Sequence, residues 1–408
     1  MTNLPQGWEV KTLSEIGEIV TGSTPSKSNL DFYGKDYPFF KPSDFEQGYF
    51  LENAGDNLSK LGFDKARQLP PKTILVVCIG SLGKVALTRV IGSCNQQINA
   101  IIPHKNIIAE YIYYYCISSK FQSILFSKAP QTTLAILNKT EFSKLEIIYP
   151  KDIKEQERIV GILDESFAKI DESIKILEQN LLNLDELMQS ALQKAFNPLK
   201  DNAKENYKLP QGWKWKSLGE ICFITDGTHK TPSYIKTGIP FLSVKNISKG
   251  FFDLSDIKYI SLEEHNKLIK RAKPEFGDIL ICRIGTLGKA IKISLDFEFS
   301  IFVSLGLLKP KVKIISDYLV YFLNSYFIER WIDNNKVGGG THTAKLNLNI
   351  LEKCPIALPP LKEQEQIASH LDELSSHVKN LKQNYQMQIK NLQELKKSLL
   401  DKAFQGRL

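Results

Sequence analysis

The chain writes one opening twice. Residues 4–25 read LPQGWEVKTLSEIGEIVTGSTP, and residues 209–232 read LPQGWKWKSLGEICFITDGTHKTP. Trp8 and Trp213 stand 205 residues apart, far beyond the period of any solenoid repeat, so the echo reads as a duplicated domain. It persists along the chain. CIGSLGKVAL (78–87) is answered by RIGTLGKAIK (283–292), and IKEQERIVGILDE (153–165) by LKEQEQIASHLDE (361–373). QSALQKAF, ending at Phe196, is answered by KSLLDKAF, ending at Phe404. Between these anchors the copies diverge freely. Shared anchors with divergent interiors suit two modules of one scaffold with different specificities.

A chain of 408 residues is expected to form two to three domains, each half large enough to bury a core. No apolar run approaches the ~18 residues a membrane span needs. The start, MTNLPQGW, lacks the basic-then-apolar layout of a signal peptide. Six cysteines are scattered singly, with no C-x-x-C spacing to hold zinc. Reduced cysteines without an export signal lead us to expect the cytoplasm. A net charge of +8 is a modest lean toward a polyanionic partner.

Each globular half is followed by a long stretch free of Pro and, apart from Gly161, of Gly. Apolar residues recur there at steps near 4 and 3, the heptad signature. The seam is expected at Leu163, Ile170, Leu177 and Leu184 in the first stretch, and at Leu371, Val378, Leu392 and Leu399 in the second. Gln388 takes the one polar seam position between Tyr385 and Leu392, a substitution that costs stability but fixes register. Glu155 to Phe196 makes 42 residues, about 63 Å of helix. Pro198 ends that helix, because proline cannot continue the ladder. The simplest partner for each helix is the other, giving a rod that separates two units.

The globular halves read as α+β. TILVVCIG, NAIIPH and GDILICRIG are short apolar or β-branched runs bounded by turn residues, so they are expected to be strands. Residues 109–126 and their counterpart 316–332 carry helical spacing and are each expected to be one helix.

GSLGK and GTLGK fail as nucleotide loops. A phosphate loop needs G-x-x-x-x-G-K-[ST], whereas here the spacing is G-x-x-G-K followed by Val85 or Ala290. They read as glycine turns after a strand. Lys84 and Lys289 at those turns are candidates for contacts to nucleic-acid phosphate, and Arg283, just before the second turn, is a further nucleic-acid-binding candidate. Histidine pairs with metal spacing, G-x-S-x-G and G-x-G-x-x-G are all missing, so no catalytic centre and no metal are expected.

The polar loops recur at matched places. In the first half they offer Ser23, Thr24 and Lys27, then Lys41 and Ser43, then Gln131, Thr132 and Thr133. The second half offers His229, Lys230 and Thr231, then Ser243, Lys245 and Asn246, then Thr341, His342, Thr343 and Lys345. Such side chains suit base edges and phosphates: Lys to guanine, Asn or Gln to adenine, Ser or Thr to either. Loops are polar anyway; their recurrence in two copies is what makes them candidates.

Together the repeated LPQGW, GxLGK and KEQExI...LDE runs resemble the specificity subunit of type I restriction–modification enzymes, over essentially the whole chain. That resemblance implies two target recognition domains, residues 1–150 and 209–358, each reading one half of an asymmetric bipartite site in double-stranded DNA. It implies two conserved long helices, residues 151–197 and 359–408, packed antiparallel as a coiled coil, with a linker at 198–208. Partners would be modification (methyltransferase) subunits, two of them, and through these the restriction (motor nuclease) subunits. S-adenosylmethionine, ATP and Mg would sit on those partners, with no cofactor and no catalysis in this chain. Other readings are a recognition component of a type II-like modifying nuclease, a stand-alone DNA-binding regulator, or an enzyme with an unrecognised site.

Overall fold

The computed structural model describes residues 4–129, 135–196, 209–339 and 344–408. It divides into two compact units, Met1–Glu178 with Tyr385–Leu408, and Gln179–Asn384. Each of two 43-residue helices, Ile153–Ala195 and Leu361–Ala403, gives part of its length to each unit.

In the first unit, Trp8–Thr12 pairs antiparallel with Glu146–Pro150, placing Trp8 opposite Pro150. This closure brings the two ends of the globular part together just before the first long helix. A five-stranded sheet runs in the order Gly17–Thr21, Ile98–Pro103, Ile74–Val77, Val85–Thr88, Phe50–Leu51. The run Ile74–Val77 is buried at every position, which is why it reads as continuous rather than alternating. Asp56–Leu58, Tyr33–Phe40 and Ser93–Cys94 form a smaller sheet. The second unit repeats the plan. Lys214–Ser217 pairs with Pro355–Leu358. A four-stranded sheet orders Cys222–Asp226, Leu305–Pro310, Ile279–Cys282, Ala290–Lys292. Lys258–Ile260, Ile239–Leu242 and Ser300–Ile301 form the three-stranded one.

The single helix expected over 109–126 is two, Ala109–Ile117 and Ser119–Lys128. Ser118 breaks it. Its hydroxyl donates to the Tyr115 carbonyl at 2.6 Å and accepts from the Phe121 N–H at 3.4 Å, capping the second helix. The counterpart is also split, into Ser316–Leu323 and Tyr326–Asn335. There the Asn324 side chain turns to a neighbouring strand, donating to Ala290 O at 2.8 Å and accepting from Ala290 N at 3.1 Å. Local side-chain bonding of this kind competes with the helical ladder.

Within each unit the long helices pack as an antiparallel pair. In the first, Arg158 donates to Leu408 O at 3.1 Å, and further along Lys396 pairs with Asp171. Ile159 and Leu163 join Leu400, Ala403 and Phe404 in one core with Tyr111 and Tyr115. In the second, Lys382 pairs with Asp185, and Phe196, Ala368 and Leu371 enter the core beside Tyr318 and Phe322. Leu163, Ile170, Leu177, Leu184, Leu371 and Val378 are buried, whereas Leu392 and Leu399 are half-buried. Gln388 is exposed, and its neighbour Ile389 is half-buried instead. An α-helix drifts by about 20° per heptad against a 3.5-residue repeat, so a strict count of seven slides off the seam. Leu381 and Leu395, at 40% and 45% exposure, have slid outward in the same way. Phe196 lies one residue past the helix. Pro198 and the linker 198–208 lie outside the described residues.

Candidate nucleic-acid interface

In each unit, loops that follow several strands are stitched together at one end of the strands. In the first, Gly22 N–H donates to Ile98 O at 3.0 Å and Ser23 N–H to Cys94 O at 3.0 Å. Asn95 N–H reaches Phe40 O at 3.1 Å, and Cys78 N–H reaches Gln97 O at 2.8 Å. Leu137 N–H donates to Cys78 O at 2.9 Å. The second unit repeats the stitching. Thr228 N–H donates to Ile301 O at 3.1 Å, Phe302 N–H to Leu242 O at 2.9 Å and Arg283 N–H to Ser304 O at 2.8 Å. Leu346 N–H then donates to Arg283 O at 2.9 Å. The loops beginning at Ser23, Lys41 and Cys78, and those beginning at Thr228, Ser243 and Arg283, are thus gathered onto corresponding rims.

The candidate side chains divide by what they already bond. Ser23 Oγ accepts from Arg67 N–H at 3.3 Å, and Thr24 Oγ1 donates to Gln96 at 2.5 Å. The Lys41 ammonium pairs with Asp56, and Lys84 pairs with Glu46. Lys27 and Ser43 are exposed. In the second unit Lys230, Thr231, Lys245 and Lys345 are exposed. Ser243 is half-buried, and its backbone N–H donates to Asn246 Oδ1 at 2.9 Å. Asn246 is buried, with its amide also donating to Asp253 O at 3.1 Å, so it braces a loop. His229 is exposed and sits 3.1 Å from Asp226 Oδ2. Gln131, Thr132, Thr133, Thr341, His342 and Thr343 lie outside the described residues.

Arg283 does not face solvent. It is 7% exposed, and its guanidinium donates to Asp226 Oδ2 at 2.5 Å, Leu346 O at 3.0 Å and Val303 O at 3.3 Å. Asp226 itself is 1% exposed. Burial acts to raise its carboxyl, but the hydrogen bonds and charges of Arg271 and Arg283 outweigh this and hold it below the usual carboxylate range. At the matched positions of the first unit stand Thr21 and Cys78, and Thr21 instead donates to Asn99 at 2.6 Å. Sequence reasoning passed over two arginines here. Arg67 Nη1 donates to the Thr21 carbonyl at 2.5 Å, and Arg271 Nε donates to the Asp226 carbonyl at 3.3 Å. The only signal was one arginine at a similar distance before a buried strand in each copy.

The glycine turns are structural. Gly80, Gly83, Gly285 and Gly288 all adopt positive φ, between 80° and 88°, which favours glycine. Gly83 N–H closes on Val77 O and Gly288 N–H on Cys282 O, each at 2.9 Å, so these amides are already used. Lys289 is half-buried beside the second turn. Among the described residues no group of three or more His, Cys, Asp or Glu is placed to hold a metal ion.

The scaffold is doubled and presents matched polar rims, and comparison with known proteins gives its family. The model of the type I restriction modification DNA specificity domain matches twice, at residues 5–182 and 210–391, and the chain belongs to that family. It is 25% identical over 423 residues to the MjaIX specificity subunit of Methanocaldococcus jannaschii, covering 99% of this chain and 94% of the relative. It is 23% identical over 434 residues to the Escherichia coli EcoKI specificity subunit, covering 99% and 90%. A match to the HindI specificity subunit of Haemophilus influenzae reaches 37% identity over 191 residues, spanning 45% of this chain and 42% of that relative. The fold is that of a chain in a solved type I R-M system, with TM-score 0.81 and 21% identity over 100% of both chains. It is also similar to the HsdS subunit from Thermoanaerobacter tengcongensis, with TM-score 0.61 and 21% identity over 99% and 98% of the two chains.

Proposed function

We propose that this chain is the sequence-specific DNA-binding subunit of a type I restriction–modification complex, and that its two units each read one half of an asymmetric bipartite target. The observation that carries this reading is the family model's double match, on two units whose loops gather on corresponding rims. The recognition domains are residues 1–150 and 209–358; the stretches 151–197 and 359–408 are the helical spacer and the docking surface for methyltransferase subunits. Restriction subunits join through those. S-adenosylmethionine, ATP and Mg belong to the partners, whose chemistry this chain directs without performing any. No helix among the described residues is long and apolar enough to cross a membrane, and the assembly acts where the chromosome is, in the cytoplasm. Among the described sequence candidates, Lys27, Ser43, His229, Lys230, Thr231, Lys245 and Lys345 are exposed and so placed to meet DNA.

The test is a domain exchange. Residues 209–358 are replaced by the corresponding segment of a relative, and the methylome of a host carrying the intact system is sequenced. One half of the methylated motif is expected to change while the other is retained. A motif altered in both halves contradicts the reading.

A further inference from the structure

Arg271 is tied down yet still exposed. Its Nε donates to the Asp226 carbonyl at 3.3 Å and its Nη2 to the Asp226 carboxylate, while 56% of the side chain remains exposed. A guanidinium carries five donors in a rigid fork, so the remaining N–H groups stay available in a fixed direction. They border a cleft of about 370 Å³ lined by Thr228, His229, Lys230, Lys267, Leu268 and Arg271. Among the described residues no carboxylate lines it. Lys267 is neutralised by Glu263 at 2.7 Å, but Lys230 makes no ion pair among the described residues. Behind the rim, one buried carboxylate faces two guanidinium groups, because Arg283 also bonds Asp226. The cluster therefore keeps a net positive charge, and Arg271 is its solvent-facing member. The carboxylate stays ionised, since its two arginines hold it below the usual range against the opposing effect of burial.

The first unit separates two explanations for Arg271. If the arginine served only to neutralise Asp226, the copy without that carboxylate would have no use for one. Yet Arg67 reaches the carbonyl of Thr21, the matched position, at 2.5 Å, and is itself exposed. An exposed arginine at this rim belongs to both copies; the buried ion pair belongs to the second.

We propose that Arg271 contacts a backbone phosphate of DNA, and that Asp226, itself held by the buried Arg283, is the positioning residue that sets the guanidinium's direction. This rests on the reading of the chain as a DNA-recognition subunit and names one contact within it. A phosphate contact fixes register on the duplex without reading a base.

The experiment uses the full chain assembled with its methyltransferase partner. The probes are a duplex carrying the motif found by methylome sequencing and a random duplex of equal length, with Kd measured from low to moderate NaCl. Arg271→Gln is expected to weaken binding to the motif duplex by roughly tenfold. It is also expected to lower the log–log salt slope by about 1, the release of one phosphate's counterion, and to leave the methylated motif unchanged. Asp226→Asn combined with Arg283→Met removes the buried pair without leaving an unmatched charge. It is expected to weaken motif binding too, and to add nothing on the Arg271→Gln background, because interacting positions are not additive. Full additivity overturns the positioning role. Unchanged affinity and slope in Arg271→Gln, with wild type still preferring the motif duplex, overturn the phosphate contact alone. A changed motif at an unchanged slope makes Arg271 a base contact and overturns it as well. A wild-type complex that binds both duplexes equally overturns this proposal together with the function it rests on.

Discussion

Gln156 and Gln364, 208 positions apart, form the same clamp. Gln156 Oε1 accepts from Ile108 N–H at 2.9 Å while its Nε2 donates to Pro150 O at 3.0 Å. Gln364 Oε1 accepts from Ile315 N–H at 3.0 Å and its Nε2 donates to Pro359 O at 2.8 Å. Both are buried, at 0% and 1% exposure. Each ties the first turn of a long helix to the segment just before the tyrosine-bearing helix and to the chain just before that turn. The repeated KEQE run is therefore a joint.

Replacing Gln156 by Leu keeps the volume but leaves the Ile108 N–H and the Pro150 carbonyl without their partner. Each unsatisfied buried group costs about 1–3 kcal/mol, so the first unit is expected to lose about 2–6 kcal/mol. Urea unfolding followed by hydrogen exchange, resolved by unit, measures it. A loss confined to below about 1 kcal/mol shows that the joint carries little stability.

The two KAF endings are expected to act on different units. Phe404 packs edge-on against Tyr115 and Tyr111, with ring centroids 5.0 and 5.5 Å apart. Phe196 packs against Phe322 and Tyr318, at 5.2 and 5.8 Å. Truncating a buried Phe to Ala costs about 3–5 kcal/mol. Phe404→Ala should loosen exchange protection in the first unit and Phe196→Ala in the second. Equal loss in both units from either change contradicts this.

The six cysteines are free and buried. Burial pushes the Cys78, Cys94, Cys222, Cys282 and Cys354 thiols up to about 12, and Cys116 is also raised by burial. Thiolate, not thiol, is the reactive form. At pH near 8 the folded protein should resist thiol reagents, and all six should label once guanidinium unfolds it. Rapid labelling of any one in the native chain places that residue at a mobile or open site.

Asp226 makes the second unit sensitive to acid. Its carboxyl is depressed in the fold from the ordinary value of 3.8, despite burial acting the other way, because Arg271 and Arg283 favour the ionised form. A depressed acid contributes stability that is complete above the unfolded value and drains away as pH falls through the folded one. The urea midpoint of the second unit should fall below pH about 4, and the Asp226→Asn/Arg283→Met variant should show a shallower acid limb. Parallel acid limbs in the two proteins count against this assignment.

The duplication and the helical seam were legible because both are periodic. Trp8 with Trp213 declares the repeat, and apolar spacing declares the long helices. What escaped was decided through space. Nothing in the spacing says that Tyr111 and Tyr318 donate to the carbonyls of Ile148 and Ala357, at 2.9 and 2.5 Å, in matched cores. The loop candidates show a second limit. A polar side chain serves either its own backbone or a ligand, and composition does not say which. Asn246 and Lys230 look alike as loop residues, yet one is locked inside a turn and the other is exposed. The burial of Arg283 is hidden for the same reason, its partner lying 57 positions earlier at Asp226.

The slot beneath the rim holds an acid–base pair in one copy and Thr21 with Cys78 in the other, on the same scaffold. A recognition loop therefore cannot be transplanted as surface alone. Moving residues 225–231 into the first unit would carry Asp226 into a core that offers Cys78 instead of Arg283. Arg67 stands where Arg271 does, but the buried guanidinium would be missing, and a buried carboxylate left half-paired would cost a few kcal/mol. The portable piece is the loop together with its floor, so new specificities on this fold are inherited in depth.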